Sequence, residues 1–225
     1  MAVTKISIVN AALVLVGAKK ISSLTDNSKS ARLASDLYEV NLKNVFGLPH
    51  NWKFATTRRT LSEYGTEPIS GYDKQYLIPE DSQRIIAMVE EDDDEIQFKW
   101  RREFVRDTSV TPAREYDVVL TNEETVRIKY VALREDPARY PGWFVKLLYT
   151  SLAVMLSQPL KQSKQDREQL RSMEVFALND ALAGDSAEDA DSNEANERLD
   201  DGSTEVVDAA SNGIAGRRRY VWERR

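Results

Sequence analysis

Apolar residues recur at three- and four-residue steps in two stretches at the start of the chain, which is the period of one face of an α-helix. The first predicted helix begins at its N-cap, Thr4, and ends at Gly17. The second begins at Asp26 or Ser28 and ends near Phe46. Because the link between them is short, the two helices should form an antiparallel hairpin.

The pattern changes between residues 57 and 133, where apolar and polar residues alternate in short runs separated by turn-forming residues. We expect the strands of one compact antiparallel sheet, with four or five members, at about 56–61, 84–90, 96–101, 115–120 and 125–131.

Helical periodicity then returns. A third helix should begin at Pro141 or Gly142 and end before Pro159, and a fourth should begin near Ser163 and fray at Gly184. The pattern predicts an α+β fold. It consists of a four-helix body, made of two N-terminal and two C-terminal helices, with an inserted small antiparallel β domain and an extended C-terminal arm.

The predicted domain boundaries follow from these elements. The helical body is discontinuous and covers 1–56 and 138–184, the inserted β domain covers 57–137, and the arm covers 185–225.

Charge is distributed unevenly along the chain. The net charge of the whole chain is −6, but residues 185–208 alone carry about −9 and residues 216–225 carry about +4, which leaves the rest close to neutral. The arm has almost no large apolar residue before its end. We therefore expect it to remain unfolded until a partner supplies the surface against which it can pack.

Few residues are suited to catalysis or metal binding. The chain has no cysteine, and His50 is its only histidine, so thiolate metal sites, a cysteine nucleophile and a site with several histidines are excluded within one chain. His50 has no nucleophile motif beside it, and we interpret it as a structural or surface residue. Trp52 and Phe54 are expected in the core. We predict no enzyme, no catalytic residue, no metal and no cofactor.

The C-terminus combines arginine with aromatic side chains, which are frequent anchors of protein interfaces. We predict that it docks on a partner protein through Arg217, Arg218, Arg219, Tyr220, Val221, Trp222, Arg224 and Arg225. Two alternatives remain open: contact with DNA, with Tyr220 or Trp222 stacking on bases, and a solvated tail that only aids solubility.

Residues 6–55 carry a further pattern, made of an N-A-A-L run before Gly17, an S-L-x-D-x-S link and a segment ending in W-x-F-A. In this chain its members are Ile8-Val9-Asn10-Ala11-Ala12-Leu13, Ser23-Leu24-Thr25-Asp26, Ser28, Ala31, Tyr38 and Leu48-Pro49-His50-Asn51-Trp52-Lys53-Phe54-Ala55. The stretch resembles the phage tail tubular protein A family, the head-to-tail connector adaptors of short-tailed phages.

The resemblance implies a structural protein of the virion, made in the cytoplasm of a host bacterium and placed at the head–tail junction. Members of this family form rings, commonly of twelve copies, that join the portal to the tail nozzle and surround the DNA exit channel. They carry no catalytic residues, they do not bind the passing double-stranded DNA specifically, and they have no membrane partner. Their C-terminal arms reach the portal, and their β-rich face receives the nozzle.

Within such a ring, two groups of charged residues become candidates for the lumen or the nozzle face. The first is an acidic run that should form a hairpin tip, since it lacks the glycine of a calcium loop, and it includes Asp92, Asp93 and Asp94. The second is the basic pair Arg101 and Arg102.

The alternative function is a cytoplasmic DNA-binding protein that uses the arginine-rich C-terminus. Such a protein would need a basic recognition face, whereas the body is nearly neutral and the acidic stretch before the C-terminus would repel DNA. Salt-dependent DNA binding distinguishes the two functions.

Overall fold

In the computed structural model, the described residues form four α-helices and seven β-strands, all of the strands paired in antiparallel sheets, which confirms the α+β class. The structure describes residues 2–65, 71–90, 95–109, 111–160 and 163–200, and for residues 189–200 it describes the backbone alone.

The first two helices begin and end where the sequence predicts. Helix α1 spans Lys5–Leu15, and its N-cap Thr4 forms a reciprocal capping box with Ser7. Gly17 follows it with a φ of 64°, in the left-handed region that favours glycine. Helix α2 spans Lys29–Phe46, and the Ser28 hydroxyl caps it by accepting a hydrogen bond from the Ala31 N–H.

The link between α1 and α2 is fixed by side-chain hydrogen bonds to the backbone. The Asn10 amide binds Ile21 twice, accepting from its N–H at 2.8 Å and donating to its carbonyl at 3.0 Å. The Asp26 carboxylate accepts from the N–H groups of Ser22 and Ser23. Asp26 therefore closes the link, and of the two predicted N-caps of α2 only Ser28 has that role.

The strands form two sheets instead of the single sheet that the sequence predicts. The four-stranded sheet has the order β1-β7-β3-β4, and the three-stranded sheet has the order β2-β6-β5. In chain order the strands are β1 (Thr56–Thr60), β2 (Lys74–Leu77), β3 (Ser82–Val89), β4 (Glu95–Ile96), β5 (Arg101–Asp107), β6 (Arg114–Thr121) and β7 (Arg127–Ala132).

The wrong prediction of one sheet has its origin in the expected strand at 96–101. The chain leaves the four-stranded sheet at Ile96 and enters the three-stranded sheet at Arg101, and it has no regular structure between them. The apolar–polar alternation is real, because Phe98 packs against the buried residues of the sheets. The alternation therefore arises because Ile96 and Phe98 are partly buried where the chain passes from one sheet to the other, and not because the segment pairs as a strand. The expected strands near 56–61, 84–90, 115–120 and 125–131 are confirmed as β1, β3, β6 and β7, whereas β2 and β5 were not predicted.

The last two helices are α3, Gly142–Ser157, and α4, Lys164–Asp200. Helix α4 begins after Ser163 as predicted, but the predicted fraying at Gly184 is wrong, because the helix continues through this position. Asp185, the predicted first residue of the arm, is fully buried. It lies inside the first of two units into which the chain divides, Met1–Asp189 and Ala190–Arg225.

Two groups of buried apolar residues make up the core. The helical core cluster contains the inner faces of all four helices together with Trp52, Ala55 and Val131, and α3 packs against both α1 and α2. The sheet core cluster contains Leu61, Tyr76, Ile78, Met88, Val119, Val126, Ile128, Tyr130 and Ala132.

Candidate partner-binding surfaces

An aromatic group joins the helices to the start of the first sheet. The Trp52 side chain is fully buried, and its indole N–H donates to the Val45 carbonyl at 3.1 Å. Its ring stacks on that of Trp143, with centroids 5.8 Å apart and planes 24° apart, and meets Phe144 edge-on. Phe54 packs against the same rings. The predicted core role of Trp52 is confirmed, whereas Phe54 is partly buried and packs against the core.

His50 contacts a residue that lies far from it in the sequence. Its Nε2 is 2.7 Å from Oδ2 of the buried Asp185, whose other oxygen accepts the Lys53 N–H at 2.9 Å. The contact holds α4 against the segment that follows α2. No sequence signal pointed to it, because the two side chains are separated by 135 positions and a lone aspartate in an acidic stretch resembles its solvated neighbours.

The position next to Asp185 explains why a glycine stands in the middle of α4. A Cβ atom on Gly184 would lie 2.5 Å from Cδ1 of Trp143, closer than two carbon atoms approach without bonding. Gly184 therefore lets α4 lie directly on the indole ring. The glycine was predicted to mark the fraying end of the helix, whereas it marks a close contact between α4 and α3.

A mostly apolar groove of about 410 Å³ opens between α2, α3 and α4. The groove is lined by Asn44, Val45, Leu48, Leu147, Ser151, Met155, Glu174, Val175 and Leu178. Glu174 is the only ionisable residue of this lining, and it forms no ion pair within the described part of the chain. This groove was not predicted, because it depends on how three helices pack.

Helix α4 also exposes two large apolar side chains, Val175 and Phe176, with 57% and 69% of their surfaces accessible. Phe176 does not line the groove. One helical turn after it, Asp180 binds the ammonium group of Lys146 on α3 at 2.5 Å. Exposed large apolar side chains such as these are typical of surfaces that bind another protein.

The two predicted arginines of the sheet region lie on β5, at the edge of the three-stranded sheet. Arg102 forms a bidentate ion pair with the Asp117 carboxylate, and this contact raises the pKa of Arg102 above its usual value. Arg101 lies 3.2 Å from the Glu103 carboxylate. Phe104, on the same strand, is the most exposed of the large apolar residues, at 73%. The placement of this strand on a lumen or nozzle face stays a prediction.

The other predicted interaction residues lie outside the described residues. These are Asp92, Asp93 and Asp94 in the acidic run, and Arg217, Arg218, Arg219, Tyr220, Val221, Trp222, Arg224 and Arg225 at the C-terminus. Their roles stay predictions.

Within residues 2–65, 71–90, 95–109, 111–160 and 163–188, whose side chains the structure describes, no three His, Asp or Glu side chains come together in a way that could hold a metal ion. In the same part of the chain, no helix combines the length and the apolar character needed to span a membrane.

In comparisons with known proteins, no family model and no curated protein matches this chain.

Proposed function

We propose that this protein is a structural subunit of a bacteriophage particle, a head-to-tail adaptor that acts in a ring between the portal and the tail nozzle. The observation that carries the proposal is the resemblance of residues 6–55 to the tail tubular protein A family. It includes the N-A-A-L run, the S-L-x-D-x-S link and the W-x-F-A segment.

The structural positions of the resembling residues support the proposal. Asn10 and Asp26 hold the link between α1 and α2, Ser28 caps α2, and Gly17 has a left-handed backbone. Trp52 is at the centre of the aromatic group. The pattern is therefore made of residues that each fix a particular feature of the fold, which makes a chance match of all of them improbable.

The distribution of exposed apolar residues also supports a role in assembly. A ring subunit needs at least two different surfaces for its neighbours, and an adaptor needs more for the machines above and below it. Phe176 on the helices and Phe104 on the three-stranded sheet are both largely exposed. Surfaces of this kind are covered in an assembled particle.

In the proposed adaptor, the helical body is formed by 1–56 and 138–184 and the β domain by 57–137. We place the start of the arm after Asp189 instead of at Asp185, because Asp185 is buried within the first unit. The basic, aromatic end of the arm docks on the portal, and the arm gains its buried surface only there. Ring assembly is then sequential and follows portal binding.

The proposal is tested by light scattering on the purified full-length chain, alone and mixed with the portal ring of the same phage. The chain alone should have the mass of a monomer and should add to the portal as a ring. A variant that lacks residues 216–225 should lose portal binding while its circular dichroism spectrum stays that of the intact chain. A chain that ignores the portal would overturn the proposal. Binding to DNA that weakens steeply with salt would then favour the DNA-binding alternative.

A further inference from the structure

Phe176 and the apolar groove lie on opposite sides of the contact between α3 and α4. Val175 and Leu178 face the groove, whereas Phe176 lies about 100° further around the helix than Val175. On α3 the same division separates Leu147, which lines the groove, from Lys146, which binds Asp180 one turn beyond Phe176. One side of this helix pair therefore carries the groove, and the other carries the exposed Phe176 side chain.

The groove and the Phe176 side chain are both apolar. The groove is lined mainly by leucine, valine and methionine side chains, and a phenylalanine ring that enters such a site buries about 150–250 Å² of apolar surface. Phe176 has 69% of its surface in water, so about two-thirds of that burial is still to be gained.

The charges beside the two surfaces are also complementary. The rim of the groove carries the Glu174 carboxylate, which has no ion-pair partner among the described residues. The side of Phe176 carries the ion pair of Lys146 and Asp180, whose side chains are 46% and 56% exposed. A second copy that brings its Phe176 to this groove therefore brings Lys146, with three ammonium donors, to where it can bridge the Asp180 and Glu174 carboxylates.

We infer that the groove of one copy receives Phe176 of the next copy. The inference rests on the proposed function, because it assigns the lateral contact of the proposed ring. The donating and receiving patches lie on opposite sides of the helix pair, so a single neighbour does not engage both at once and the contact is head-to-tail. Head-to-tail contacts generate a closed ring or a filament.

The absence of cysteine from the chain allows a direct test in the full-length protein. Asn179→Cys places a thiol at an exposed position one turn from Phe176, whose ring is kept, and Ser151→Cys places one in the groove. With a short bismaleimide crosslinker, the double variant should give a ladder of dimers, trimers and larger products on a denaturing gel, in protein assembled on the portal ring. Each single variant should give no ladder, because head-to-tail contacts bring together two different positions.

The same samples distinguish failure of the inference from failure of the proposed function. Native mass spectrometry of the unaltered chain with its portal reports whether a ring forms at all. A ring without a ladder, or a single variant that crosslinks to dimers and no further, overturns the inference and leaves the adaptor function standing. If no ring forms with the portal, both the inference and the proposed adaptor function are wrong.

A second pair of variants tests the role of Phe176 without a crosslinker. Phe176→Asp should lower the amount of assembled ring at least tenfold, and Phe176→Leu should retain most of it. The matched control is Phe104→Asp, at the other highly exposed phenylalanine. If it prevents ring formation while Phe176→Asp does not, the lateral contact is on the sheet and the inference is wrong.

Discussion

The helical core cluster and the sheet core cluster are held together in different ways. In the helical cluster, rings from α2, α3 and the segment between α2 and β1 contact one another, and the buried Asn41 amide bonds the Leu148 carbonyl across two helices. In the sheets, strand pairing joins a smaller buried group, and several stabilising contacts lie at the surface, such as the contact between Arg102 and Asp117.

The difference indicates which part of the molecule can adapt to a partner. Close-packed aromatic rings tolerate little change of shape, so the groove that the helices form should keep its geometry when a neighbour binds. Surface ion pairs contribute little to stability and exchange partners readily. The edge strand β5 can therefore be rearranged at low cost.

The largest effect should come from breaking the helical cluster at its centre. Trp52→Ala removes the ring that contacts Trp143 and Phe144 and the hydrogen bond to Val45, and it should lower the free energy of unfolding by about 3–5 kcal/mol. Urea denaturation measures this. Trp100→Ala, at an indole that is 39% exposed, is the control and should cost less than about 1 kcal/mol. Equal losses would contradict the comparison.

The next effect should come from the buried carboxylate on α4. Asp185→Ala removes the oxygen that accepts the Lys53 N–H and the one that contacts His50 Nε2, both in part-buried contacts, and should cost about 2–3 kcal/mol. Asp185→Asn keeps one oxygen acceptor and should cost less. Glu188→Ala, at an exposed position one turn further, should be nearly neutral in the same urea titration. A neutral Asp185→Ala would mean that this contact does not hold α4.

Overpacking the contact between α3 and α4 should have a smaller effect. Gly184→Ala forces a methyl group against the Trp143 ring and should cost about 1–3 kcal/mol, although alanine favours helix more than glycine does. Gly142→Ala is the matched control, since a Cβ there meets open space. Thermal unfolding of both variants measures the difference, and a more stable Gly184→Ala protein would refute the close contact.

The sheet region should respond only weakly to loss of an ion pair. Arg102→Ala removes the bidentate ion pair with Asp117, at a side chain that is 39% exposed. It should lower the free energy of unfolding by no more than about 1 kcal/mol. The cost should shrink in high salt. A loss as large as that of Trp52→Ala would show that the sheets depend on charge as much as the helices depend on packing.

The smallest effect should depend on pH, at the link between α1 and α2, and should disappear in acid. Hydrogen bonds from the Ser23 and Ser22 N–H groups and from the Ser22 hydroxyl lower the pKa of Asp26 below its usual value. The lowered pKa means that Asp26 stabilises the folded state above about pH 4, its unfolded pKa, and loses this contribution as the pH falls through the folded value. In urea titrations at a series of pH values, Asp26→Asn should therefore differ from the unaltered chain most at neutral pH and least in strong acid.

The elements that the sequence predicted well are those with local causes. The Thr4 and Ser28 caps, the stop at Gly17 and the strands near 84–90 and 115–120 each depend on residues that are close in the chain. The division into two sheets, the groove and the contact of His50 with Asp185 could not be predicted, because each depends on the packing of elements that are distant in sequence. Gly184 was misread for the same reason: a glycine that ends a helix and one that admits a neighbouring ring look alike in a single sequence.

The stacked pair of Trp52 and Trp143 has an optical consequence. Two indole rings at this separation and angle couple their ultraviolet transitions, and both are held in one chiral arrangement by the surrounding aromatic side chains. Because α4 rests on Trp143 through Gly184, a displacement of that helix would disturb the arrangement. The near-ultraviolet circular dichroism of the unlabelled chain should therefore change when α4 moves relative to Trp143, and this signal can be followed while neighbouring molecules are added.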